Sequence, residues 1–128
     1  MPTPIETVTA FINEWAKSSE ALHASHHTYF TPTTVWENVG VITTVGIDEA
    51  IAFINEFEKK TGFATIRVDI LNIAADGDKV LTERVDHFVN ADGATFASVR
   101  IMGIFELENG KVARWRDYFD TAAMGPLA

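Results

Sequence analysis

The chain is 128 residues long and 47% hydrophobic, with 18 acidic against 10 basic residues and a formal net charge of −8 at pH 7. That length and apolar content suit one domain, residues 1–128, with a core of its own. The acidic balance and the lack of a basic stripe argue against a nucleic-acid partner and against docking on an anionic membrane; they favour a neutral or cationic small molecule over an anionic one.

No window approaches the roughly 18–20 apolar residues needed to span a bilayer. The opening Met1-Pro2-Thr3-Pro4-Ile5-Glu6 has no basic segment leading into an apolar run, so no secretory signal is expected. Cysteine is absent, which excludes disulfides, thiolate metal ligands and cysteine nucleophiles and fits a cytoplasmic location.

In chain order, Thr3 with Pro4 and Glu6 forms a capping-box start to a first helix running to Lys17, with Val8, Phe11, Ile12 and Trp15 as its apolar stripe. A shorter second helix is expected from Ser19 to His27, and Tyr29-Phe30-Thr31-Pro32 breaks the pattern. Thr33 to Asn38 alternates as a strand, with Thr34, Trp36 and Asn38 on one face; a second short strand is expected near Val41 to Val45. Gly46 opens a third helix, with Ile47, Ala50, Ile51, Ile54 and Phe57 on its buried face and Lys59-Lys60 at its negative end. From Gly62 onward the pattern is all strand: Phe63–Ala74, Lys79–Asn90, Thr95–Leu107 and Val112–Asp120, joined by the turns Ala75-Asp76-Gly77-Asp78, Ala91-Asp92-Gly93 and Glu108-Asn109-Gly110-Lys111. The tail from Thr121 to Ala128 is expected to be loosely ordered.

Helices segregated from an antiparallel meander make an α+β domain. Three helices in the N-terminal half, laid across a curved, mixed but mostly antiparallel sheet, make a cone with an apolar interior. This order is similar to that of the nuclear-transport-factor-2-like (NTF2-like) superfamily, which also holds SnoaL-like proteins and hosts many functions.

Within that frame, four polar residues fall on faces that otherwise read as buried. Arg84 and Asp86 share theirs with Val80 and Phe88, Asp117 lies beside Trp115 and Phe119, and Asn38 lies beside Trp36. A single buried group of this kind is more often one end of a satisfied ion pair. A buried ion network is weak evidence for stability, however, so two carboxylates, a guanidinium and an amide on inward faces are better explained as a site. Two carboxylates in one dry pocket can hold different protonation states. The ionised one can take a proton from water and the protonated one can give a proton to a leaving oxygen. Opening a neutral epoxide needs that pair of actions.

Thr82-Glu83-Arg84-Val85-Asp86, Ile101-Met102-Gly103-Ile104-Phe105-Glu106-Leu107 and Gly110-Lys111-Val112-Ala113-Arg114-Trp115-Arg116-Asp117-Tyr118-Phe119-Asp120 resemble the corresponding stretches of the limonene-1,2-epoxide hydrolase family. The resemblance implies a cofactor-independent hydrolase that adds water directly to a small hydrophobic epoxide. It carries the role of general acid onto Asp86, of bridge onto Arg84 and of general base onto Asp117. The family holds the attacking water with a Tyr and an Asn one residue apart; here Asn38 matches the Asn and Trp36 stands in place of the Tyr. An indole N–H only donates, so Trp36 serves as a wall or a donor and cannot accept from the water.

Trp36, Phe88, Met102 and Ile104 are candidate substrate contacts. The alternatives are proton transfer on a ketone, as in ketosteroid-isomerase-like or polyketide-cyclase-like enzymes, and a non-catalytic small-molecule-binding dimer. His23, His26 and His27 crowd the second helix, and the first and last are spaced like metal ligands. No acidic residue completes a zinc-helix pattern, the neighbouring Ser and Ala read as ordinary surface, and no metal is expected. The strand Thr95–Leu107 is apolar on both faces, which predicts a homodimer through the outer face of the sheet.

Overall fold

The structure is a computed structural model and describes residues 2–122. Its elements run α1 (Pro4–Glu14), α2 (Ser19–Tyr29), β1 (Phe30–Asn38), β2 (Ile42–Val45), α3 (Gly46–Thr61), β3 (Phe63–Asp76), β4 (Lys79–Asn90), β5 (Thr95–Glu108) and β6 (Lys111–Tyr118). Among the described residues the strands form one curved sheet in the order β2-β1-β6-β5-β4-β3. All neighbours are antiparallel except β1 and β6, which pair in parallel. The α+β architecture expected from the sequence is the one observed.

The capping box of α1 forms as its residues dictate: Thr3 accepts from the Glu6 N–H, and Glu6 accepts in return from the Thr3 N–H. The helix ends at Glu14, short of Lys17. Trp15 is its C-cap, and the Trp15 carbonyl accepts from Ile66 N–H at 3.0 Å, tying the helix end to β3. The stripe Val8, Phe11, Ile12 and Trp15 is fully buried against the sheet.

Strand β1 begins at Phe30 and passes through Pro32, where the sequence suggested a break. The Thr34 hydroxyl makes this possible. It accepts from Thr31 N–H at 2.8 Å and donates to the Val112 carbonyl, replacing ladder bonds across an irregularity in the β1–β6 pairing. Gly46, at φ +86°, then turns the chain into α3; a Cβ there would meet the Pro32 carbonyl oxygen at 2.8 Å. Residues 123–128 of the tail lie outside the described residues.

The helices cover the inner face of the sheet, and the core is strongly aromatic. Trp115 sits at its centre, stacked on Trp36 (4.6 Å between centroids, 7° between planes) and on Phe105 (4.9 Å, 21°). On β5 the inner face is Val99, Ile101, Gly103, Phe105 and Leu107. Met102 and Ile104 therefore point outward, and Met102 is 53% exposed. The expectation that these two line an internal pocket is corrected: the strand is apolar on both faces, and its register with β6 selects the other one.

Candidate active site

The site is built where four strands bring polar residues to the inner face. On β4, alternation presents Thr82, Arg84, Asp86 and Phe88 inward, all of them buried. On β5, Gly103 lies between Thr82 of β4 and Asp117 of β6. Across the parallel seam, Trp36 pairs with Trp115 and Asn38 with Asp117. Residues 38, 84, 86 and 117 thus meet because the sheet order sets β6 between β1 and β5.

Arg84 is 1% exposed, and all five N–H donors of its guanidinium are used. Nε and Nη2 fork onto Asp86 at 3.0 Å each. Nη1 and Nη2 fork onto Asp117 at 3.0 and 2.8 Å. The remaining Nη1 hydrogen goes to the Thr82 hydroxyl at 3.2 Å, which itself donates to the Gly103 carbonyl at 3.1 Å. The guanidinium carbon lies 5.9 and 5.8 Å from the ring centroids of Trp15 and Phe105. Burial alone would lower the pKa of Arg84; the charges of Asp117 and Asp86 outweigh it and hold the group cationic.

The two carboxylates are bound differently. Asp117 accepts three N–H bonds: two from Arg84 and one from the Trp115 indole, at 2.8 Å to Oδ1. Asp86 accepts two, both from Arg84. Burial raises the pKa of Asp86; Arg84 opposes that rise, and the like charge of Asp117 adds to it. Burial of Asp86 thus works toward a retained proton, while Asp117 accepts one more N–H bond than Asp86 does.

Both carboxylates border a cavity of about 610 Å³. That volume is in the range of small-molecule sites. Trp36, Asn38, Phe88, Val99, Ile101 and Phe119 are among its lining. The Asn38 Nδ2 is buried with no partner among the protein atoms, and the Trp36 indole N–H likewise. Of the substrate contacts expected from sequence, Trp36 and Phe88 line this cavity; Val99 and Ile101 occupy the places given to Met102 and Ile104.

Residues 2–125 match the limonene-1,2-epoxide hydrolase catalytic domain. The chain belongs to the limonene-1,2-epoxide hydrolase family. It is 36% identical over 90 residues to the epoxide hydrolase EphG of Mycobacterium tuberculosis (strain ATCC 25618 / H37Rv), a stretch covering 70% of this chain and 57% of that protein. It superimposes on the structure of an M. tuberculosis LEH-like epoxide hydrolase with a TM-score of 0.72 and 28% identity, over 97% of this chain and 83% of that one. An NTF2-like protein of unknown function from Burkholderia pseudomallei K96243 shares the fold at a TM-score of 0.78 and 22% identity, over 99% and 98% of the two chains.

Three features of this candidate site escape a reading of the residues alone. Thr82 is inside the Thr82–Asp86 motif and shares the face of Arg84, a parity signal that marks it as a neighbour. Gly103 carries no signal except its place opposite two charged side chains. His26, in a helix stretch that read as ordinary surface, is 3% exposed and borders the cavity. His23 instead leaves the interior and bonds Glu58 of α3 at 3.0 Å.

Proposed function

We propose that this chain is an epoxide hydrolase that adds water directly to a neutral, mostly apolar epoxide and releases a vicinal diol. The observation that carries this reading is one fully bonded guanidinium holding two carboxylates in place at the wall of an apolar cavity. Asp117 takes one proton from a water held between it and the Asn38 amide. The water oxygen forms a bond to one ring carbon as the bond from that carbon to the ring oxygen breaks. The electron pair goes to the ring oxygen, which takes a proton from Asp86. The diol leaves with Asp117 protonated and Asp86 ionised, and a proton passing back from Asp117 to Asp86 resets the site.

Single-turnover reaction in oxygen-18 water tests the mechanism. Label is expected in the diol and none in the protein; label in Asp86 or Asp117 would show an ester intermediate instead. Asp117→Asn is expected to lower kcat by about 10²–10⁴-fold, the usual weight of a general base. Full activity in that variant would remove Asp117 from the role.

A second reading, a non-catalytic binding protein of the same fold, is favoured by one observation: the indole of Trp36 offers no acceptor to a water. Measurable binding of apolar ligands with no diol from any alicyclic or aryl epoxide would support it. In either case the outer sheet face, with Leu71, Leu81, Met102 and Tyr118 exposed, is proposed to pair two copies of the chain. Light scattering that returns a monomer mass would refute the pairing.

A further inference from the structure

The catalytic step proposed above leaves one part of the cavity wall unused. His26 projects from α2 into a ring of aromatics: its imidazole lies 5.1 Å from Phe11 and from Phe30, 5.4 Å from Trp36 and 6.3 Å from Trp15, centroid to centroid. Its tautomer follows from the neighbours. The Leu22 carbonyl, 2.9 Å from Nδ1, can only accept, so Nδ1 carries the hydrogen. The Ser25 hydroxyl donates to that same carbonyl at 2.7 Å and therefore gives nothing to the ring. Nε2 is left as a lone-pair acceptor, buried, with no protein donor.

Two buried donors lack partners beside it. The indole N–H groups of Trp15 and Trp36 bond no protein acceptor, and both residues border the same cavity as His26. A buried polar group left without a partner is costly, because it has given up its bond to water. One acceptor and two donors without protein partners, on three neighbouring side chains that border one cavity, point to a ligand group that can donate once and accept.

We propose that His26, Trp15 and Trp36 form a hydroxyl-binding subsite, and that the preferred ligands are apolar molecules carrying one alcohol. The ligand hydroxyl donates to His26 Nε2 and accepts from an indole N–H. A hydrocarbon satisfies neither group. A ketone has nothing to donate, and a carboxylate would set a negative charge against a lone pair. An ammonium ion would lose its hydration among aromatic rings. Neutral imidazole is what the acceptor role requires, and burial lowers the His26 pKa to about 4.

The proposal rests on the epoxide-hydrolase reading only where it names a substrate: on that reading the substrate is an epoxy alcohol. The subsite is displaced along β1 and β6 from Asn38 and Asp117. Trp36 and its partner Trp115 lie two residues before that pair. Two strand residues advance roughly 7 Å, so the hydroxyl and the oxirane sit at different points along these strands.

Binding of an unreactive isosteric pair, cyclohexylmethanol and ethylcyclohexane, followed by tryptophan fluorescence, tests the subsite apart from catalysis. The alcohol is expected to bind about tenfold tighter or better, although water solvates it more strongly. Equal or tighter binding of the hydrocarbon would overturn the proposal. His26→Phe should erase the preference while leaving the hydrocarbon's affinity within about twofold; His26→Gln, which restores an acceptor, should recover it. A preference unchanged in His26→Phe would also overturn the assignment. If His26→Phe does not fold, nitrogen-15 spectra of the wild-type imidazole decide: the Nε2 resonance should move upfield with the alcohol and stay fixed with the hydrocarbon, and no movement with the alcohol would refute the contact. An alcohol preference without diol formation from any epoxide would sink the hydrolase reading alone. Diol formation without an alcohol preference would sink the subsite alone.

Discussion

Gly103 faces Asp117 across the β5–β6 ladder, and a Cβ on Gly103 would overlap both the Asp117 Oδ1 and the Arg84 Nη1. The bidentate contact between those side chains occupies the space that any other residue would fill. Gly103→Ala must therefore push the two apart or shift β5. Misplacement of a reacting group by about 1 Å can cost 10²-fold in rate. Gly103→Ala is expected to lower kcat by about that factor while far-UV circular dichroism stays unchanged. Wild-type kcat would mean that the fork is dispensable.

Arg84 compensates two buried carboxylates at once. Removing one partner of a buried ion pair typically destabilises by about 3–5 kcal/mol, because a charge is left unpaired. Arg84→Leu should show a loss of that size in urea unfolding. Adding Asp86→Asn and Asp117→Asn to Arg84→Leu should recover much of it, since the stranded charges are then gone. No recovery in the triple variant would trace the loss to packing against Trp15 and Phe105.

The charged residues of the site were legible because β4 alternates without interruption: Val80, Thr82, Arg84, Asp86 and Phe88 share a parity, and two ionised groups on an apolar face stand out. Strand β5 offered no such contrast. Its two faces are nearly equally apolar, and only the neighbour across the ladder, Asp117, distinguishes Gly103 and Ile101 from Met102 and Ile104. His26 was illegible for another reason. Helix α2 is polar in composition, and the burial of His26 is imposed from outside by α1 and by Trp36 and Trp115. The passage of β1 through Pro32 depends on one hydroxyl, Thr34, finding the Val112 carbonyl 78 residues away in sequence.

His26 gives stability a pH dependence of definite sign. Its pKa is lowered to about 4 in the folded chain by burial, against an ordinary value of 6.5. Between those two values the unfolded chain binds the proton and the folded chain does not. Stability is therefore fully present above pH 6.5 and falls as pH drops toward 4, by about 3 kcal/mol in all. The difference between wild-type and His26→Phe unfolding free energies, measured across that window, should show this slope. A flat difference would place a charged imidazole in the core.

Trp36 stands where the resemblance to the family leads one to expect a Tyr, two residues before Asn38. Trp36→Tyr introduces a hydroxyl that both donates and accepts beside Asn38. The variant should hydrolyse epoxides faster, by about tenfold if one hydrogen bond of about 1.4 kcal/mol is gained in the transition state. It should also melt lower, since the stack on Trp115 loses area. Turnover no faster than wild type in the variant would show that a hydroxyl at this position does not help to hold the attacking water.

The parallel seam between β1 and β6 has a consequence for how the chain comes together. Strand β6 is the last described strand in sequence and stands third in the sheet, flanked by an early strand on one side and a late hairpin on the other. Until it inserts, β1 and β2 form a hairpin detached from the meander, with Trp36 and the edge that receives Trp115 open to water. Such a long-range pairing is slow to form. A nascent chain would carry this unfilled slot until Lys111–Tyr118 had left the ribosome, so assembly of the hydrophobic centre and assembly of the Asp117–Arg84 contact are one event.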